Sequence, residues 1–135
     1  MENILELQQV SKTFSKSKFS LENVSFNLPY GAIMGFVGEN GAGKTTTIGC
    51  ILNTIKKDSG KIKLFGQEMS DADTDMREKI GVVYDGDNFP TYWTATQLAK
   101  VMAGFYKQWD NILFLKYLEE YKLPANQKIK QYSRG

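Results

Sequence analysis

A chain of 135 residues with 17 basic and 15 acidic side chains is long enough for one domain core, and its net charge of +2 is too balanced to point to nucleic acid. Hydrophobic residues at 41% and charged residues at 24% fit an ordinary globular composition. One cysteine, Cys50, excludes an internal disulfide and suits a reducing compartment, and the lack of histidine removes histidine bases, His–metal sites and Ser-His-Asp triads from this chain. No apolar run approaches the ~18 residues of a membrane-spanning helix, so any membrane role needs a partner.

Met1 to Val10 reads as a strand through Ile4, Leu5, Leu7 and Val10. A polar, Lys-rich stretch with Phe14 and Phe19 follows. Leu21 to Leu28 reads as a half-buried antiparallel strand, because Val24, Phe26 and Leu28 alternate with Ser25 and Asn27. Pro29-Tyr30-Gly31 is a turn. Ala32 to Val37 is a short apolar run of buried-strand type, and it leads into GENGAGKTT, Gly38 to Thr46.

That stretch fits G-x-x-x-x-G-K-[ST], with Gly38, Gly43, Lys44 and Thr45 at the fixed places. A chance match somewhere in the chain has odds of about half a percent at average residue frequencies. The chemistry accounts for each residue type. Backbone amides from Gly38 through Glu39, Asn40, Gly41, Ala42 and Gly43 must turn inward around phosphate oxygens, which glycines permit. Lys44 supplies an ammonium for the β- and γ-phosphates, and Thr45 a hydroxyl for Mg²⁺. Thr46 opens a helix whose N-terminal amides and dipole favour an anion. Ile48, Ile51, Leu52 and Ile55 form its apolar face, and the Lys56-Lys57 and Gly60 stop signals close it. Cys50 lies on this helix in a packing role.

Lys61 to Phe65 alternates as a strand, with Gly66 as its turn. Asp71, Asp73 and Asp75 copy the start of a calcium loop, but Met76 and Val82 stand where that loop needs Gly and Glu. They are better read as the acidic start of a short helix near Thr74 to Lys79. Ile80 to Tyr84 is a further apolar strand, ending in the turn-rich Asp85-Gly86-Asp87-Asn88. Thr94 and Gln97 make a capping box for a helix reaching Gln108, with Leu98, Val101, Met102 and Phe105 as its stripe. Asp110 caps another helix, carrying Phe114, Leu115, Leu118 and Tyr121 and ended by Leu123-Pro124. Ala125 to Gly135 is polar.

Taken together, LELQQVSKTF, SLENVSFNLPYGAIMGFVGENGAGKTTTIGCIL, DSGKIKLFG and KIGVVYD resemble the opening of the ATPase subunit of an ABC transporter. The closing Tyr132-Ser133-Arg134-Gly135 resembles the start of that family's signature sequence. The arginine there, with FYKQWD at Phe105 to Asp110, is similar to bacterial exporter ATPases. The resemblance implies an α/β fold: a P-loop NTPase core with an N-terminal antiparallel β subdomain over residues 1–88, and the start of a helical subdomain over 89–135. It implies Mg-ATP binding, a dimer with a second ATPase subunit, hydrolysis that drives a membrane permease subunit, and a place at the cytoplasmic face of the membrane. Lys44 is then the catalytic cation, and no nucleic-acid partner is expected.

By the same resemblance Phe14 stands at the adenine-stacking aromatic, with Phe19 as runner-up. Asp85 replaces the glutamine of the Q-loop; as a hard oxygen donor it remains a candidate Mg²⁺ ligand beside Thr45. Phe89, Tyr92 and Trp93 are open to two readings, a patch for the permease or packing against the next helix. The Walker B carboxylates, catalytic glutamate and switch histidine are not among these residues, so the chain reads as a fragment that does not turn over ATP alone. Two alternatives stay open: a self-contained P-loop NTPase with Asp85 as its Walker B residue, and an ABC-type protein acting on ribosomes or DNA.

Overall fold

The computed structural model describes residues 2–38, 43–86 and 88–133. The chain divides into two compact units, Met1–Arg77 and Glu78–Gly135.

The first unit is built on a four-stranded antiparallel sheet. Its strands are β1 (Asn3–Thr13), β2 (Ser20–Pro29), β3 (Ser59–Leu64) and β4 (Gln67–Glu68), in the order β2-β1-β3-β4. β1 is central because its apolar side chains meet apolar partners on both sides. Leu5 faces Leu28 of β2 and Leu64 of β3, and Leu7 faces Phe26 and Ile62. These cross-strand rows are the unit of sheet stabilisation. Leu7 and Val10 are fully buried, each contributing about 1.5–3 kcal/mol by leaving water.

Leu7 and Val10 are three residues apart, which breaks the two-residue period of a regular strand. A bulge resolves the conflict. Gln9 takes φ 48°, the register shifts between Leu7 and Val10, and Val10 returns to the buried face. The Gln9 amide donates to Ser25 Oγ at 2.8 Å. On the other side Gly60, at φ +89°, fits against the bulge; a Cβ there would run into the Gln9 carbonyl oxygen and lie 2.6 Å from that of Gln8. Gly60 therefore belongs to the start of β3 and serves the bulge rather than a helix end.

Helix α1 (Lys44–Ile51) is shorter than its apolar spacing predicts. Asn53 enters the left-handed region at φ 56°, its amide donates to Cys50 O at 3.2 Å, and the Thr54 amide donates to Gly49 O at 2.9 Å. This Schellman arrangement ends the helix before Ile55. Ile55 instead folds back onto Gly49, where a Cβ would lie 2.8 Å from its Cγ1. Cys50 is buried, and burial pushes its thiol pKa up, as suits a packing role.

The short helix α2 (Thr74–Arg77) forms where the acidic cluster predicts it. Asp73 accepts from the Ser70 amide at 3.0 Å, and Asp71 from Asn53 Nδ2 at 2.8 Å. Among the described residues no cluster of His, Cys, Asp and Glu is placed to hold a metal ion.

Two predicted strands are absent as strands. Residues 32–37 and 80–84 take no regular secondary structure and have no ladder partners among the described residues. Ile33 and Val37 stand almost fully exposed, and so does Val83. A run that is apolar on both faces forms a strand only when neighbouring strands pair with its edges, and no described residue supplies that pairing.

In the second unit, α3 (Ala95–Phe105) starts on the predicted capping box: Thr94 Oγ1 accepts from the Gln97 amide at 3.2 Å and Gln97 Oε1 from the Thr94 amide at 2.9 Å. α4 (Asn111–Glu120) starts where Asp110 accepts from the Leu113 amide at 2.9 Å. The predicted stripes are only partly covered. Leu98 and Leu118 are buried, whereas Phe105 and Tyr121 are exposed. The polar closing segment is ordered by the backbone. Ile129 donates to Trp93 O at 2.8 Å, Lys130 to Thr91 O at 2.8 Å, and Thr96 to Ala125 O at 3.1 Å, so residues 125–131 strap back onto the start of α3.

Candidate functional site

The site is built around the N-terminus of α1. Gly43 is its N-cap at φ 98°, and Phe19 Cζ and Leu21 Cδ1 would each lie 2.9 Å from any Cβ placed on it. The backbone angle therefore favours glycine here, and any side chain would also have to displace the tips of Phe19 and Leu21. Thr47 is buried, with its amide and its hydroxyl both donating to the Gly43 carbonyl, at 2.8 and 2.7 Å. That pair fixes the first turn. The amides of Lys44, Thr45 and Thr46 in that turn have no partner within the helix, as at any helix start, and the helix dipole adds partial positive charge.

Lys44 Nζ reaches back to donate to the Gly38 carbonyl, across the loop that precedes the helix. Its ammonium thus spans the two ends of the motif. Thr45 is exposed and presents a hard oxygen at the helix start, while Thr46 is half-buried. Glu39, Asn40, Gly41 and Ala42, the middle of the predicted loop, lie outside the described residues. Arg134 and Gly135 of the signature-like end, and Asp87, do as well.

Phe14 is held at the end of β1. Lys12 Nζ lies 5.5 Å from its ring centroid, and the Phe14 carbonyl accepts from the Ser17 amide at 3.2 Å. Phe19, the runner-up aromatic, is the ring that packs on Gly43.

Asp58 was legible in the sequence only as part of a helix stop. In the structure its carboxylate ties together groups at the end of β1. Oδ2 accepts from the Thr13 amide at 2.7 Å and the Thr13 hydroxyl at 3.0 Å, and Oδ1 from Lys12 Nζ at 3.2 Å. The Thr13 amide, then its hydroxyl and Lys12, hold the Asp58 carboxyl below the usual carboxylate range. No local spacing signals this contact, because the partners are 45 and 46 residues apart.

Asp85 lies in the second unit, in an exposed turn. Asn88 closes that turn: its Oδ1 accepts from the Tyr84 amide at 2.6 Å, and its Nδ2 donates to Tyr84 O at 2.9 Å and Gly86 O at 3.1 Å. Phe89 lines a groove of about 690 Å³ with Met102 of α3, Tyr106 and Trp109 of the segment after it, and Phe114 of α4. Tyr92 and Trp93 make an edge-to-face pair at 6.4 Å, with Tyr92 exposed.

Comparison with known proteins gives a consistent pattern. The family model described as ABC transporter matches residues 21–135. The bacitracin transport ATP-binding protein BcrA of Bacillus licheniformis is 34% identical over 97 residues, 72% of this chain and 31% of that protein. The zinc uptake system ATP-binding protein ZurA of Listeria monocytogenes is 36% identical over 109 residues, 80% of this chain and 41% of that protein. The ABC transporter ATP-binding protein YtrB of Bacillus subtilis is 30% identical over 134 residues, 98% of this chain and 44% of that protein. The chain thus spans less than half the length of these relatives.

Solved structures share the fold. An ATP-binding subunit of an ABC transporter superposes with TM-score 0.80 at 22% identity, over 97% of this chain and 56% of that one. A dimeric ATP-binding cassette in a post-hydrolysis state with ADP and Pi superposes with TM-score 0.73 at 23% identity, over 96% of this chain and 63% of that one.

Proposed function

This chain belongs to the ABC transporter family, and from that premise we propose that it binds Mg-ATP through the loop Gly38–Thr46. In the full-length protein, as a dimer with a second ATPase subunit, it would hydrolyse ATP to drive a membrane permease subunit. The supporting observation is the start of α1: Gly43 in a conformation only glycine takes easily, three amides without helical partners, and Lys44 Nζ beside the Gly38 carbonyl.

The chemistry is phosphoryl transfer to water, in which charge spreads over the transferred phosphoryl oxygens. Lys44 and the first-turn amides meet that charge with fixed donors, which cost no reorganisation as it develops. Thr45 presents the hard oxygen that suits Mg²⁺, and Asp85 is proposed as a further oxygen donor. Bound Mg²⁺ would neutralise charge on the β- and γ-phosphates. Phe14 is proposed as the ring that stacks on adenine. The solved dimer with ADP and Pi supports the nucleotide and the pairing of subunits as a model for this chain. Relatives named for uptake and for export both occur. Export is favoured by the FYKQWD stretch and the arginine of the signature-like end. A position at the cytoplasmic face of the membrane follows from the permease partner.

Isothermal titration calorimetry of the chain and of Lys44→Ala tests the site. Losing an ammonium paired with phosphate should cost about 1.5–3 kcal/mol, roughly a 10- to 150-fold weaker Kd. Equal affinity for Mg-ATP in the two proteins would reject the assignment.

A further inference from the structure

Asp58 contributes nothing to the phosphate motif and lies far along the chain from Phe14, yet the hydrogen bonds at the end of β1 converge on it. Its two oxygens take the Thr13 amide, the Thr13 hydroxyl and the Lys12 ammonium. Thr13 is the last residue of β1, and Phe14 follows directly. The backbone that carries the Phe14 ring is therefore clamped one residue before it. The same clamp fixes Lys12, whose side chain is only 19% exposed and whose ammonium lies over the ring. A cation over one face of a phenyl ring is held by the ring quadrupole and leaves a single face for a second flat partner. A third tie, from the Asp58 amide to the Ser11 carbonyl at 2.9 Å, anchors the segment carrying the carboxylate to β1 itself.

We propose that Asp58 is a positioning residue for nucleotide recognition: by clamping Thr13 and Lys12 it presets the Phe14 ring, with Lys12 on one face and the other kept for the adenine base. The inference rests on the reading of Phe14 as the adenine-stacking ring and adds the residue that orients it. Asp58 touches neither phosphate nor metal in this scheme. Its loss should weaken recognition of the base and leave recognition of the phosphates intact.

The test measures the affinity of the full chain for Mg-ATP and for Mg-tripolyphosphate, which has the phosphates without the base. Phe14→Ala should weaken Mg-ATP about fivefold, the worth of one stacking contact, and leave Mg-tripolyphosphate unchanged. Asp58→Ala should reproduce that selective loss, and the double variant should be no weaker than the worse single one, because both act on one ring. Asp58→Asn keeps an acceptor for Thr13 and should recover part of the loss; Lys12→Met should give a selective loss too. If Asp58→Ala does not fold, Asp58→Asn and Lys12→Met decide by the same split. An Asp58 variant with full Mg-ATP affinity, beside a weakened Phe14→Ala, overturns the positioning role and leaves the adenine reading standing. A Phe14→Ala variant with full Mg-ATP affinity overturns the adenine reading itself, and this inference with it. Equal losses for Mg-ATP and Mg-tripolyphosphate in Asp58→Ala would reduce Asp58 to a general support of the fold.

Discussion

Gly60 and Asp58, two residues of one short segment, carry much of the structure around β1, and each makes a definite prediction. Gly60 sits at φ +89° with backbone oxygens of Gln8 and Gln9 where a side chain would begin. Backbone of a paired strand cannot swing aside as the tip of a side chain can. Gly60→Ala should therefore cost at least the ~1–3 kcal/mol of a strained backbone position, read as a lower denaturation midpoint. Gly66, also at positive φ but with no atom within 4 Å, is the control: Gly66→Asn should move the midpoint far less. Equal midpoints for Gly60→Ala and wild type would show that the bulge tolerates a methyl group. Asp58 predicts a pH dependence. Its folded pKa is lowered, so its stabilising contribution is complete above the ordinary carboxylate value near ~3.9. It fades as the pH falls below that value and through the folded pKa. The melting temperatures of wild type and Asp58→Asn should differ at neutral pH and converge under acid. A gap that stays constant down to full protonation would contradict the clamp.

The elements divide by whether their cause is local. The capping box Thr94–Gln97 and the Asp110 cap were legible because each is a contact over three residues, and both form at the predicted places. Thr94→Ala should lower stability by about 0.5–2 kcal/mol. Amides at the start of α3 should then exchange with solvent faster, whereas unchanged exchange there would mean the strap of residues 125–131 holds the helix start unaided. The alternation of β2 was legible for the same reason. The β1 bulge, the end of α1 at Asn53 and the strap were not, because each depends on a partner or a conformation that spacing does not encode. At the candidate site, the glycines, Lys44 and Thr45 were readable from one short motif. Asp58 was not, since Thr13 and Lys12 stand 45 and 46 residues away. The runs 32–37 and 80–84 have the composition of buried strands, but pairing is a property of neighbouring strands, and among the described residues neither run has a ladder partner.

Those two runs set the behaviour expected of the whole molecule. One lies in each compact unit, and each combines backbone outside any described ladder with exposed apolar side chains: Ile33 at 101% and Val37 at 95% in the first, Val83 at 89% and Tyr84 at 58% in the second. Unpaired strand backbone beside apolar surface is a template for pairing with another chain. The chain in isolation should therefore self-associate as its concentration rises through the micromolar range, and it should bind a dye that reports exposed apolar surface. Charge placed on the runs should oppose this directly. Ile33→Lys with Val83→Lys should shift the light-scattering mass toward monomer without lowering the stability of the β2-β1-β3-β4 sheet, because neither side chain is buried. The curated relatives extend well beyond the span that matches this chain. If strands from such an additional span pair with these runs, a protein of the relatives' full length should associate less and bind less dye than the 135-residue chain. A 135-residue chain that stays monomeric and dye-free across that concentration range would mean the two runs are covered from within, and would remove the reason to expect strands from elsewhere beside the phosphate loop.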